Sequence, residues 1–399
     1  MAHAGKQHSY HLAKALLDSG LLSRFITSSY VTQPWLQRLI LASGNQFWVR
    51  RFKPGLAAPY VEANWRFELA EMWAKYRKGR TEAFAEAVYA RDEAFDLTLC
   101  KRIGRVPGGL FWGFQGSCLH TLAAARQAGK EAWVELATAH ITGAKAYLGE
   151  EALLHPDWAD SIDNLRFSPA YESRLEQEPH LADKVVAASS FTRQTLVDAG
   201  VAPEKIIYLP LGFDVEYVPY KPRTAQPAGQ PFRFLYAGNV TQRKGMSYLL
   251  DAIQLLSGQN IELHIIGSIT GSGKAFAARK GLYTYHAPVS QYQLFDMYGQ
   301  YDALVLPTLF EGFGLVLVEA MAAGLPIITT SHSIGPELVE EGKTGYLVPI
   351  RNAQMLAERM AKLAAKPADE YLAMRHAARQ KSLSFTWDAY SERVGKLFG

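Results

Sequence analysis

Short apolar runs rich in β-branched residues alternate with helical patterns through most of the 399 residues, and the rhythm occurs twice. Strands that are buried on both faces and separated by helices pair in parallel, so the pattern predicts α/β layers rather than a sandwich or a bundle. The first set of strand-like runs is 24–31, 132–137, 185–189 and 206–210. The second is 232–237, 262–266, 303–307, 326–330 and 346–348. Between them lies VPYKPRTAQPAGQP, residues 218–231, where four prolines replace any hydrophobic period. Proline fixes φ and removes a donor, which suits a linker.

A chain of this length exceeds one ordinary core. The predicted organisation is therefore a first doubly wound domain over 1–217, the linker over 218–231, a second over 232–384, and a terminal helix over 385–399. That helix has apolar spacing at Trp387, Tyr390, Val394 and Leu397, which suits packing on either domain. At the other end only four residues precede GKQHSYHLAKALL. Either the first strand is three or four residues long or the physiological start lies upstream.

Several function classes fall away on composition. No apolar run approaches the roughly 20 residues that cross a bilayer, and MAHAGKQHSYHLAKALL lacks the apolar block of a signal peptide, so the expected location is the cytoplasm. Cys100 and Cys118 form no CxxC, which argues against a zinc site or a disulfide framework. A net charge of +4 is too mild to mark a nucleic-acid binder, and none is expected as a partner.

Two stretches carry chemistry. In YDALVLPTLFEGFGLVLVEAMAAG a buried strand leads through a glycine loop into an apolar helix that stops near Gly324. Glu311 sits in the loop, and Gly312 and Gly314 allow close backbone approach beside free helix N–H groups, which favour anions such as a diphosphate. Glu319 is placed about two turns into the helix between Val318 and Ala320, where an ionised carboxylate needs a partner such as a pair of ribose hydroxyls. Upstream, RFLYAGNVTQRKGMSYLLDAI gives a strand, the turn Ala237-Gly238-Asn239, then Arg243 and Lys244 at the start of a helix from about Gly245. Adjacent cations there suit a phosphate pair, although a solvated basic turn fits equally well.

PLGFD (210–214), FLYAGNVTQRKGMSYLLDA (234–252), FEGFGLVLVEAMAAGLPII (310–328) and GPELVEEGKTGYLVP (335–349), with the run from Ala182 before them, resemble the retaining glycosyltransferases of family 4. The resemblance implies the GT-B fold, with two Rossmann-like doubly wound domains facing a central cleft and the terminal helix crossing back onto the first. It implies a nucleotide-diphosphate sugar as donor and a hydroxyl acceptor. By position, Arg243 and Lys244 would bind the diphosphate, Glu311 the transferred sugar and Glu319 the ribose. Gly238 and Asn239, Gly312, Phe313, Gly314 and Leu315 would line the donor, and the segment around Val289 the base. Transfer would proceed with retention and no metal or other cofactor, since no Asp-x-Asp pair is present and charge on the leaving group falls to Arg243, Lys244 and backbone donors. Donor binding would close the cleft about the linker.

The first half follows the family less closely. The loop HAGKQHSYHLA offers Gly5, Lys6 and His8 as candidate contacts, and His140, at the end of AWVELATAH, stands either at the reaction centre or as a hydrogen-bonded rim histidine. Residues 33–56 interleave Trp35, Leu36, Leu39, Ile40, Phe47 and Trp48 with Arg38, Arg50, Arg51 and Lys53, and WAKYRKGR (73–80) repeats the mixture. This is the composition of a surface that meets an anionic membrane, and equally of a buried helix with a solvated basic edge. Rival readings are a nucleotide-sugar-binding protein without catalysis and a GT-B-fold epimerase or phosphorylase. A P-loop NTPase is excluded, because Ser268 and Glu337 stand where the first Walker glycine is needed.

Overall fold

The computed structural model describes residues 1–5, 8–78, 82–162, 167–221 and 229–399. Its strands, in chain order, are β1 (Ala2–His3), β2 (Phe25–Thr27), β3 (Val61–Ala63), β4 (Leu110–Phe114), β5 (Glu131–Leu136), β6 (Lys184–Ala187), β7 (Ile206–Tyr208), β8 (Phe232–Ala237), β9 (Ile261–Ile266), β10 (Thr284–His286), β11 (Ala303–Leu306), β12 (Ile327–Thr330) and β13 (Gly345–Val348). All pairings between them are parallel.

In the second half six strands run in the order β10-β9-β8-β11-β12-β13. The order reverses between β8 and β11, which opens a crevice at their carboxyl ends, the usual ligand position in such sheets. The central strands have helices on both faces, and Phe234, Leu235, Ala303, Leu304, Val305, Leu306, Ile327 and Ile328 are fully buried. This explains their continuous apolar sequences.

The first half differs from the single expected sheet. It has a three-stranded piece, β1-β2-β3, and a four-stranded piece, β4-β5-β6-β7. Among the described residues β1 lies beside β4 but pairs with β2.

Residues around the proposed linker are tied to the second half: Val218 is buried, and Tyr220 lies under the Arg379 guanidinium, 5.3 Å from its ring centre. Residues 222–228 of that linker lie outside the described residues. The helix Ala368–Ser382 packs on the helix Leu315–Ala322. The chain then crosses to the first half, where Phe213 N–H donates to Phe385 O at 2.9 Å. The last helix, Trp387–Lys396, packs on Ser9–Asp18, with Trp387 stacked 3.6 Å from His11.

Candidate active site

The two cations and the first glutamate converge because a glycine lets two strand ends meet. Arg243 and Lys244 lie in a single 3-10 turn, Gln242–Lys244, ahead of the helix Met246–Leu255. Gly245 between them has φ 73°, and a Cβ there would stand 2.0 Å from Pro307 O, so no other residue permits this approach. Leu309 N–H and the Thr308 hydroxyl then donate to the Arg243 carbonyl at 2.9 and 3.3 Å. This seam between the ends of β8 and β11 brings Arg243 Nη1 to Phe310 O at 2.9 Å and to Glu311 Oε2 at 3.1 Å. Lys244 Nζ pairs with the same carboxylate oxygen.

Burial alone would raise the Glu311 carboxyl, but Lys244 and Arg243 overrule it and hold it at about 2. The Lys244 ammonium is lowered, chiefly by burial. Two cations against one carboxylate leave a net positive charge at the crevice, which favours an incoming anion.

Glu319 stands in the helix Leu315–Ala322, just over one turn from its start and not the two expected. Gly314, at φ 90°, keeps the loop going to that point, so the helix begins later than the sequence suggests. The buried carboxylate has the partners its position demands. Gln291 Nε2 donates to Oε1 at 2.7 Å and the Tyr298 hydroxyl to Oε2 at 3.3 Å. Burial nevertheless raises its pKa against those bonds. Val289, expected near the base, lies two residues before Gln291, whose side chain reaches Glu319, and packs on the core. Gly238 follows β8 with its Cβ direction open, and exposed Asn239 accepts from the Tyr236 hydroxyl through its carbonyl.

The glycine loop also meets the first half. Ser189 Oγ and Thr192 Oγ1 donate to Gly312 O at 2.6 and 3.1 Å, and a Cβ on Gly312 would lie 2.5 Å from Ala137 O. Two residues beyond Thr138, His140 caps the helix Ile141–Leu154 by accepting from Thr142 N–H at 3.3 Å through Nδ1. Its Nε2 is buried without a hydrogen-bond partner among the described residues. Burial lowers the imidazole to about 4, so it is neutral near pH 7.

Gly5 N–H donates to His3 Nδ1 at 3.0 Å. His8 is buried against Glu135 of β5, whose other oxygen accepts from Trp112 Nε1 at 3.0 Å, so its ring serves the interior of the first half. Lys6 lies outside the described residues.

One assembly has no counterpart in the expectations. The buried Glu151, on the helix after His140, accepts from Gln242 Nε2 at 2.7 Å, Arg351 Nε at 2.7 Å and the Tyr248 hydroxyl at 3.2 Å. Gln242 N–H donates to Ser161 Oγ at 2.9 Å. The turn that carries Arg243 and Lys244 is thus braced from the first half. Only the adjacency of Gln242 to the basic pair was visible beforehand.

Residues 221–381 match the family described as glycosyl transferases group 1. The carboxyl-terminal half carries the sequence pattern of the group 1 glycosyl transferases. Everything just described around Arg243, Lys244, Glu311 and Glu319 falls within this group 1 region. WcaL of Salmonella typhimurium, named as a colanic acid biosynthesis glycosyltransferase, is 28% identical over 253 residues, 58% of this chain and 59% of that protein. A D-inositol 3-phosphate glycosyltransferase of Streptomyces bingchenggensis is 31% identical over 249 residues, 55% of each chain. The chain thus spans little more than half the length of these curated relatives. Among solved structures, Anabaena HepE in complex with UDP aligns over 99% of this chain and 98% of its own, with TM-score 0.62 and 14% identity. The lipopolysaccharide outer core galactosyltransferase WaaB aligns over 98% and 96%, with TM-score 0.62 and 15% identity. The group 1 region and the half before it together form a GT-B fold.

Proposed function

We propose that the protein is a retaining glycosyltransferase that moves a sugar from a nucleotide-diphosphate donor to a hydroxyl acceptor. The observation that carries the reading is the Arg243–Lys244–Glu311 cluster at the β8/β11 crevice, on the loop that leads into the helix bearing the buried Glu319. The solved HepE complexes with UDP and with UDP-glucose support a uridine diphosphate donor.

In this reading the diphosphate enters between Arg243 and Lys244 and competes with Glu311 for them. The freed Glu311 carboxylate then accepts from sugar hydroxyls, and Glu319 from the ribose in place of Gln291 and Tyr298. The acceptor oxygen bonds to the anomeric carbon on the face that the diphosphate leaves, and the departing phosphate oxygen takes the acceptor proton. Arg243 and Lys244 stabilise the charge that develops on the leaving group, so no metal and no protein nucleophile is required. Neutral His140 offers its unpartnered Nε2 to the sugar. The reaction belongs to the cytoplasm, where Cys100 and Cys118 remain free thiols.

A thermal-shift panel of UDP, GDP and ADP with their sugars tests the donor, since a ligand bound only by the folded state raises Tm. UDP is expected to give the largest shift and Glu319→Ala to remove most of it, while Glu311→Ala slows transfer. No shift with any nucleotide would overturn the reading. Binding without transfer to any acceptor would leave a binding protein, and release of an epimerised donor an epimerase.

A further inference from the structure

Large exposed apolar side chains are concentrated in one part of the first half. Of twenty-two such residues among those described, nine lie between 35 and 76: Trp35, Leu39, Leu41, Trp48, Tyr60, Leu69, Met72, Trp73 and Tyr76. The helix Pro34–Ser43 buries only Ile40 and turns Trp35, 63% exposed, and Leu39, 59% exposed, outward with Arg38 between them. On the helix Trp65–Lys78, Leu69, Met72 and Tyr76 follow the spacing of one face, and Tyr76 is 90% exposed. A helix normally buries such a stripe, so these two faces await a covering.

Charge identifies the covering. Residues 33–80 hold nine Lys and Arg against three Asp and Glu, an excess larger than the +4 of the whole chain. Apolar side chains among cations fit the headgroup boundary of an anionic bilayer, where the rings enter the apolar layer and the cations meet phosphates. A second copy of the chain fits poorly, because a two-fold interface would set this basic excess against itself. Both helices also border one cavity of about 560 Å³, lined by Tyr30, Leu36, Trp48, Val61 and Trp65 at the carboxyl ends of β2 and β3. Two residues beyond Trp48 of its lining, Arg50 acts electrostatically on the phenol of Tyr292, on the helix that supplies Gln291 to Glu319.

We propose that this face seats on an anionic membrane surface, so that the cavity takes up an amphiphilic acceptor from the bilayer. The proposal deepens the transferase reading and rests on it for the acceptor alone; docking is measured without donor. The full-length protein is sedimented with vesicles of phosphatidylcholine alone or with about 30% phosphatidylglycerol. At least tenfold stronger partitioning onto the anionic vesicles is expected, lost between about 0.05 and 0.5 M salt. The double variant Trp35→Ser, Leu39→Ser should lower partitioning roughly tenfold, because both side chains leave the apolar layer, and Arg38→Glu should do the same through charge. Both should keep the wild-type Tm and UDP shift. Equal partitioning onto neutral vesicles, or undiminished partitioning of both variants, would overturn the proposal. So would a dimer that the double variant converts to monomer. Failure of the UDP shift alone would strike the transferase reading and leave the docking result standing.

Discussion

The two halves wind their sheets alike yet treat the point where strand order reverses in opposite ways. In the second half the helix after β11 starts at Leu315 without a side-chain cap, beside the cations Arg243 and Lys244. In the first half the chain after β4 runs into the helix Leu119–Gln127, whose leading N–H groups are taken by the protein's own acids. Asp96 accepts from His120 N–H and Thr121 N–H, each at 2.8 Å, and Glu178 from Gly116 N–H at 2.5 Å and Cys118 N–H at 3.0 Å. Arg174 Nη1 closes the group at 2.6 Å from Asp96. A helix terminus offers an anion site only where no neighbouring element supplies the anion. The first half supplies two acids, whereas the second leaves its helix start without a side-chain cap and sets the single Glu311 carboxylate against two cations.

The sharpest way to break this contrast is to delete one charge on each side. Lys244→Ala is expected to lower kcat/KM for the donor by about 10²–10³, roughly 3–4 kcal/mol, because in the proposed reaction it removes one of two groups that stabilise the leaving phosphate. Asp96→Ala leaves the Arg174 guanidinium buried without its main partner and should cost about 3–5 kcal/mol of folding stability. Donor affinity, measured below its reduced Tm, should stay at the wild-type value. Loss of nucleotide binding in folded Asp96→Ala would show that the first-half cluster shares the donor site.

The two acids should also respond oppositely to pH. Burial pushes the Glu178 carboxyl from its ordinary 4.5 to about 7, despite the Gly116 and Cys118 N–H groups and Arg174. A folded-state pKa above the unfolded one means that the folded form binds the extra proton. The Glu178 contribution is therefore greatest below about 4.5, falls as pH rises to about 7 and is flat above. Glu311, held at about 2, contributes fully above 4.5 and loses that contribution as pH falls towards 2. Denaturation of Glu178→Gln and Glu311→Gln across pH should show wild-type-minus-variant differences of opposite slope. Each should total a few kcal/mol, since one pKa unit is about 1.4 kcal/mol. Parallel slopes would dissolve the distinction.

Legibility in the sequence follows the same division, and its cause is range. The basic pair, Glu311, Glu319 and the glycine turn are read from local spacing, and β8 coincides with the run 232–237 because a buried parallel strand is apolar throughout. β10 (Thr284–His286) is short and mostly exposed, and β1 has two residues, so neither carries a periodic signal. β4 reads LFWGF, with no β-branched residue to announce a strand. The partners of Glu319 come from another helix 21 and 28 positions away, and Glu151 reaches Gln242 across 91. No spacing rule spans such distances, and a lone Glu in a helix reads as a surface residue until folding buries it.

That long-range contact supplies the smallest effect and the subtlest qualification of the contrast, because through it the first half braces the turn of the proposed donor site. Gln242 precedes the two cations directly, and its amide is fixed by Glu151 while its backbone is fixed by Ser161. Gln242→Ala and Glu151→Gln should each raise the donor KM several-fold with little change in kcat, since the cations remain but lose their preset position. Arg351 and Tyr248 still accompany Glu151 in the Gln242 variant, so folding should survive there. A double-mutant cycle on donor affinity should give a coupling of about 1 kcal/mol, the worth of one buried hydrogen bond. Strictly additive effects would mean that the brace holds the halves together without setting the geometry of the basic turn. A fall in kcat at unchanged KM would place Gln242 in contact with the reacting phosphate.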